Sequence, residues 1–380
     1  MTSLSPQLVN LMAAHAGTCL ARAAVRAPAS FARAGGWRAF ATTARAPTVL
    51  FCGEDFRHWI ESIRELQPTW QCFAVPRADV HAALSSRTID VAVPLMTKLS
   101  RANIMVGKRN GLRLIQQFGA GLEGVDLAAA AELDVPVCNI PTLLSGNAVS
   151  TAEHAIHLLL SLLRRPQEMD AVLRARVLGS PLGATVQGKR VLVVGFGALG
   201  KQTAMLLRAF GPASVSAFRD GAWTEEELAL VDEAGSFSTA TRHSASTGRT
   251  RLLEMASNSD VAIMCCPLNK HTQGIFGMDV MSAMLPGAFV VNVARGGVID
   301  REALVHLLQT RHLAGAAMDV WWQEPFDADD EDQGGVTHMR ALQAEGFNVV
   351  LTPHVGGVTE LSRAKMSRVF VDNVVRVLGC

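Results

Sequence analysis

Residues 191–200 read VLVVGFGALG, an apolar run followed by Gly195, Gly197 and Gly200 in GxGxxG spacing. The run suits a strand buried in a parallel sheet, and each glycine has its own physical task. Gly195 makes the tight turn, Gly197 lets the backbone approach a pyrophosphate, and Gly200 lets the next helix lie close to the sheet. The start of that helix offers unpaired N–H groups and the positive end of a dipole. Leu199, Thr203, Leu206, Leu207 and Phe210 share one helical face, and Gly211-Pro212 ends the helix. A second apolar run at 213–218 then supplies the next strand of a βαβ unit. The pattern predicts a dinucleotide-binding α/β domain.

The residue closing that second strand decides how an adenosine ribose is held. An Asp or Glu there bonds a 2′-hydroxyl, but this chain has Arg219, which suits a 2′-phosphate, followed by Asp220. NAD and NADP both stay open, with a slight lean to NADP.

Apolar runs at 48–52, 70–75, 89–93, 112–118 and 135–140 read as strands, with helices at 56–66 and around 126–132. They form a first α/β segment without a phosphate loop. Residues 150–153 (STAE) have capping-box spacing and open a long apolar helix that ends near Arg164-Arg165-Pro166. His154 and His157 lie on it, and a lone helical histidine is assigned no role. Beyond the βαβ unit, strands are expected at 260–265, 288–293, 313–320 and 348–351. Residues 239–250 and 327–332 read as solvated loops. A last helix, 358–378, has no strand after it and can fold back onto the first segment. The fold class is therefore α/β, with two Rossmann-like doubly wound parallel-sheet domains and an interdomain cleft. The expected division is a substrate domain of 48–150 plus 355–380 and a nucleotide domain of 151–354.

Three segments place charged residues where strands should end: VNVARGG at 291–297, MDVWWQEP at 318–325 and LTPHVGG at 351–357. Ligands bind beyond the C-terminal ends of strands in such sheets, so Arg295, Glu324 and His354 can converge beside the cofactor. Their chemistry suits hydride transfer at a carbinol carbon. Histidine is the side chain suited to take or give the hydroxyl proton, which makes His354 the candidate acid/base. Glu324 can orient the imidazole and favour its cationic form, and Arg295 can grip a carboxylate with two parallel hydrogen bonds.

In the order GxGxxG, ARGG, DVxxxEP, TPHxGG, the chain from about Thr48 onward resembles the D-isomer-specific 2-hydroxyacid dehydrogenase family. The resemblance implies a catalytic set of Arg295, Glu324 and His354, and cofactor contacts at Ala198, Leu199, Val293, Ala294, Asp319 and Gly356. It also implies a substrate-carboxylate loop at Gly119, Ala120 and Gly121, and a homodimer. Glu rather than Gln at position 324 sets the chain apart from formate dehydrogenases. A rival reading is an NAD(P)-binding regulatory protein, corepressor-like, on the same fold.

Outside the N-terminus there is no basic cluster, and the net charge of +1 gives no case for nucleic acid. No run approaches the roughly 18 apolar residues of a membrane span. Seven scattered cysteines without a CxxC pair read as reduced thiols, with no metal site. Residues 1–47 differ from the rest: five arginines, no lysine and no acid. That composition reads as a transit peptide, mitochondrial first and plastid second, to be set outside the fold.

Overall fold

The computed structural model describes residues 45–55, 57–237, 248–326 and 331–380. The transit-peptide reading therefore falls almost wholly outside the described residues. Residues 45–47 are an exception and belong to the fold. Arg45 reaches Asp90 at 2.9 Å, and that carboxylate also accepts the Thr48 N–H at 2.8 Å.

The first sheet is built around β1 (Thr48–Cys52), whose five residues are all buried. After it come α1 (Arg57–Leu66), β2 (Gln71–Val75), α2 (Val80–Ser86), β3 (Val91–Val93), α3 (Arg101–Arg109), β4 (Leu114–Gln116), α4 (Leu127–Glu132) and β5 (Val137–Cys138). The strands pair in parallel in the order β2-β1-β3-β4-β5. Alternate residues of β1 serve opposite faces. Val49 and Phe51 pack with Trp59, Ile60 and Ile63 of α1, while Leu50 and Cys52 pack with Val80, Leu84 and Ile104. Helices on both faces explain why the strand reads as unbroken apolar sequence.

Two short helices and one long one lead to the second sheet: α5 (Thr142–Ser145), α6 (Asn147–Arg164) and α7 (Pro166–Arg174). Here the expected capping box is corrected. The helix begins three residues before Ser150, after Gly146 at φ 75°, a left-handed turn that glycine adopts without penalty. Ser150 instead bonds back to the Gly146 carbonyl, as a helix-interior serine does.

The second sheet contains β6 (Arg190–Val194), α8 (Ala198–Arg208), β7 (Ser214–Arg219), α9 (Glu225–Leu228), β8 (Glu233–Ser236), α10 (Gly248–Ser257), β9 (Val261–Met264), α11 (Met278–Ala283), β10 (Ala288–Asn292), α12 (Arg301–Gln309), β11 (Leu313–Met318), α13 (Val336–Ala344) and β12 (Val349–Leu351). Its seven strands run in the order β12-β11-β10-β9-β6-β7-β8. The order reverses between β6 and β9, so a crevice opens beyond their C-terminal ends, where open α/β sheets take ligands. Most of the loop expected at 239–250 lies outside the described residues, but 248–250 already belong to α10. Of the acids at 327–332, the first three also lie outside. Asp332 is no free solvated acid, since it pairs with Arg301 and accepts the His338 N–H.

The last helix, α14 (Glu360–Leu378), returns to the first sheet and covers one of its faces. Phe370, fully buried, lies 6.1 Å from Phe51 and 5.4 Å from Phe118, and Phe118 in turn meets Trp59 at 4.8 Å. Truncating an aromatic at such a junction removes its transfer energy and leaves a cavity. Phe370→Ala should therefore cost about 3–5 kcal/mol, read as a lowered urea midpoint.

Candidate active site

The loop after β6 separates its three glycines by what surrounds them. Gly195 has φ 101°, and a Cβ there would come within 2.5 Å of the Cys266 nitrogen in the segment after β9. A Cβ on Gly200 would overlap the Gly195 carbonyl. Both positions are thus demanded by the protein's own backbone. Gly197 is different: a Cβ there would meet no protein atom within 4 Å. It caps α8 with no side-chain hydrogen bond, so the first N–H groups of the helix, at Ala198 and Leu199, border an open face. An anion such as a pyrophosphate fits that face by both space and charge.

At the end of β7, Arg219 donates to Glu227 at 2.8 Å and lies over the Trp223 ring at 5.5 Å. Trp223 packs in turn on Phe196, inside the glycine loop, with ring centroids 5.0 Å apart. Lys201 of α8 reaches the other Glu227 oxygen at 2.5 Å. Glu227 also completes a capping box with Thr224, which sequence patterning did not single out. Burial alone would push this carboxyl up. Hydrogen bonds from Lys201, Thr224 and Arg219 outweigh it and hold the group at about 2.

The ends of β10, β11 and β12 carry the candidate chemistry. Buried Asn292 shapes the first turn, accepting the Ala294 N–H and donating to the Arg295 carbonyl, both at 3.0 Å. Arg295 folds over it, donating to the Ala294 carbonyl at 2.8 Å and remaining part-exposed, while Val293 and Ala294 are nearly buried. Gly296 lies so close to the Trp321 carbonyl that a Cβ would overlap it, which locks the Arg295 turn to the next loop. In that loop the Trp321 N–H donates to one Glu324 oxygen at 2.8 Å. The other Glu324 oxygen meets His354 Nδ1 at 2.7 Å. The carboxylate is thus fixed from behind, and the Nε2 edge of His354 is turned away from it. The imidazole is 29% exposed and Glu324 11%, so the ring remains reachable while its partner is shielded.

Asp319 is 1% exposed, and its carboxylate faces inward. It accepts from Thr352 Oγ1 at 2.6 Å and from the Val355 and Gly356 N–H groups, each at 2.9 Å. His154 Nε2 lies 3.3 Å away. Burial works against ionisation here, but the donors, His154 first among them, hold the Asp319 carboxyl below the usual carboxylate range. Sequence reading left His154 without a role. Its one signal was a polar residue on the same helical face as Ser150 and Thr151, which spacing alone cannot pair with a residue 165 positions away.

Gly119, Ala120 and Gly121 follow β4 at the C-terminal edge of the first sheet. Their carbonyls are partly engaged, Gly119 by the Ile140 N–H at 2.9 Å and Ala120 by the Asn139 amide at 2.7 Å. Among the described residues, none of their three N–H groups is donated to the protein. Trp321 and Trp322 anchor the loop between Asp319 and Glu324: Trp321 packs in the core and Trp322 donates to the Ile299 carbonyl at 2.7 Å. Cys265 and Cys266 are buried beside the glycine loop, and burial pushes both thiols up to about 12.

This geometry can be set beside known proteins. The profile "D-isomer specific 2-hydroxyacid dehydrogenase, NAD binding domain" matches residues 156–356. The chain belongs to the D-isomer-specific 2-hydroxyacid dehydrogenase family. It is an oxidoreductase of that family, and the profile covers the sheet that carries the glycine loop. An (S)-sulfolactate dehydrogenase from Chromohalobacter salexigens is 30% identical over 279 residues, which cover 70% of this chain and 78% of that one. Phosphoglycerate dehydrogenases also match, but they are longer, and the matches span between 38% and 52% of their length. A solved structure from work on the pyruvate reductase of Chlamydomonas reinhardtii superposes with TM-score 0.72 at 26% identity, covering 88% of this chain and 97% of the other. An NADPH-dependent glyoxylate/hydroxypyruvate reductase from Sinorhizobium meliloti, solved with NADP and malonate, gives TM-score 0.66 at 28% identity, covering 86% and 92%. These relatives are named as dehydrogenases and reductases, and the corepressor-like reading is not favoured.

The Glu227 cluster has a pH signature. A carboxyl held near 2 in the fold, against an ordinary 4.5, stabilises the protein above the ordinary value. That contribution is lost as pH falls through the folded value. The stability gap between wild type and Glu227→Gln should therefore be full at neutral pH and close as the pH drops from 4.5 toward 2, measured as urea midpoints across that range.

Proposed function

We propose that the chain interconverts a D-2-hydroxy acid and its 2-oxo acid by NAD(P)-linked hydride transfer. The observation that carries the reading is the 2.7 Å His354–Glu324 pair on the sheet edge that also bears the open Gly197 face. A nicotinamide held at the glycine loop would supply the hydride acceptor for the carbinol carbon, or the hydride donor for the carbonyl carbon. His354 Nε2 takes the hydroxyl proton in oxidation and gives it back in reduction, with Nδ1 held by Glu324. Glu324 stabilises the imidazolium formed on the way, as a buried carboxylate beside a catalytic histidine does. Arg295 binds the substrate carboxylate and polarises the carbonyl. The free N–H groups of Gly119, Ala120 and Gly121 supply a second anchor for that carboxylate. In this division the first sheet with α14 holds the substrate, and the second sheet holds the cofactor.

Either nicotinamide cofactor fits the glycine loop, and the reading leans to NADP. Arg219, steadied by Glu227 and stacked on Trp223, is already placed at the strand end, and Lys201 adds a second cation to the cluster. A 2′-phosphate would meet two cations there, one guanidinium and one ammonium.

A homodimer is part of the same proposal. Helix α7 buries none of its residues, and Leu173, Leu178 and Leu182 are 69%, 91% and 92% exposed. So much apolar surface on one arm suits cover by a second copy. Leu178→Asp combined with Leu182→Asp should yield monomers by sedimentation velocity where the wild type gives dimers. Delivery to an organelle, the mitochondrion ahead of the plastid, rests on the acid-free, arginine-bearing composition of residues 1–47.

Initial rates with NADH and NADPH against 2-oxo acids from glyoxylate to phenylpyruvate test the function directly. NADPH-dominated turnover of one size class is expected. Cofactor binding without reduction of any acid would remove the catalytic roles given to Arg295, Glu324 and His354.

A further inference from the structure

Helix α6 lies against the stretch where the chain returns from the second sheet to the first. Asn147, Ser150, Thr151 and His154 stand at i, i+3, i+4 and i+7, one face of the helix. A Cβ on Gly357 would lie 3.2 Å from Asn147, and one on Gly356 would lie 3.2 Å from Thr151 and 3.4 Å from His154. Ser150 Oγ meets Thr359 Oγ1 at 2.7 Å and Ser362 Oγ at 2.9 Å. One helix face therefore seats the whole of 352–362, and His354 sits inside that stretch.

His354 has φ 55°, in the left-handed region. An L-residue pays roughly 1–2 kcal/mol to be there, so its surroundings must impose the conformation. Asp319 does so from both sides. Its carboxylate takes Thr352 Oγ1 before the histidine and the Val355 and Gly356 N–H groups after it. Its carbonyl takes the N–H of His354 itself at 2.8 Å. What steadies Asp319 therefore sets the direction in which the imidazole leaves the backbone. From α6, His154 Nε2 lies 3.3 Å from Asp319 Oδ1 and 3.1 Å from Thr352 Oγ1, with its side chain 16% exposed.

We propose that His154 is a positioning residue for the reaction: it ties Asp319 to α6, and through Asp319 it holds the 352–356 loop so that His354 stays on Glu324. The role rests on the dehydrogenase reading for its effect on rate, but not for its effect on the loop. Without a donor at position 154, a buried carboxylate loses a partner, and the loop loses its link to an element outside itself. A shift of about 1 Å in a catalytic group can cost about 100-fold.

The test compares His154→Leu, which fills the space without a donor, with His154→Gln, which keeps one, each alone and combined with Glu324→Gln. His154→Leu should lower kcat about 10- to 100-fold, and His154→Gln should recover most of the loss. In the Glu324→Gln background, His154→Leu should cost much less, because both changes act through His354. Amide exchange at Val355 and Gly356 should quicken in His154→Leu. If His154→Leu does not fold, His154→Asn, polar but too short to reach Asp319, takes its place. Equal losses with Leu and Gln, or the same loss in both backgrounds, would overturn the proposal. A wild type that reduces no 2-oxo acid would overturn the dehydrogenase reading instead. The exchange rates then decide the clamp alone, and unchanged protection at Val355 and Gly356 would refute it.

Discussion

A single buried carboxylate organises the C-terminal edge of the second sheet. Asp319 follows β11, and without its partners a charge so deeply buried would be expensive. Apart from His154, the donors that satisfy it come from the loop after β12, so solvation of one residue fixes the path of another segment. Glu324, a few residues on, is pinned by the Trp321 N–H and passes that order to His354. Polar satisfaction in a dry environment thus does two jobs here. It makes the loops stable, and it aims the imidazole.

The cofactor side of the crevice is ordered by steric exclusion instead. Gly195 and Gly200 let three backbone segments come closer than any side chain allows. Gly197, between them, faces open space. Because the sheet order reverses between β6 and β9, that opening and the His354–Glu324 pair lie along one edge. The strand order brings the opening and the pair to the same side of the sheet, which is what a reaction pairing a hydride with a proton at one carbon atom would require.

These two kinds of order explain what was legible in the sequence. Close approach requires glycine, so its spacing could be read directly. Buried parallel strands require continuous apolar runs, so both sheets and the return of the last helix were visible. The rest was hidden for specific reasons. Ser150 has the pattern of a cap, but a capping box is a local signal, and Gly146 starts the helix earlier through a backbone angle that composition does not display. Arg45 was grouped with the transit peptide and Asp332 with a solvated loop because sequence shows a charge and not its partner, and their partners lie 45 and 31 positions away. His154 was hidden in the same way.

The Lys201–Glu227–Arg219 cluster shows why charge at a ligand site resists reading by residue type. Arg219 alone suggests an unopposed cation awaiting a phosphate, whereas the fold gives it a carboxylate and an indole face before any ligand arrives. Glu227 cancels one charge, but it also removes most of the guanidinium's freedom, so less entropy is lost when a phosphate binds. Whether the carboxylate weakens or strengthens the site depends on the balance between lost attraction and gained preorganisation. In a part-exposed cluster, screening lowers the first more than the second, because a Coulomb term fades with solvent while a fixed geometry does not. The ion pair holds Arg219 in place, and Lys201 brings a second cation to the same carboxylate.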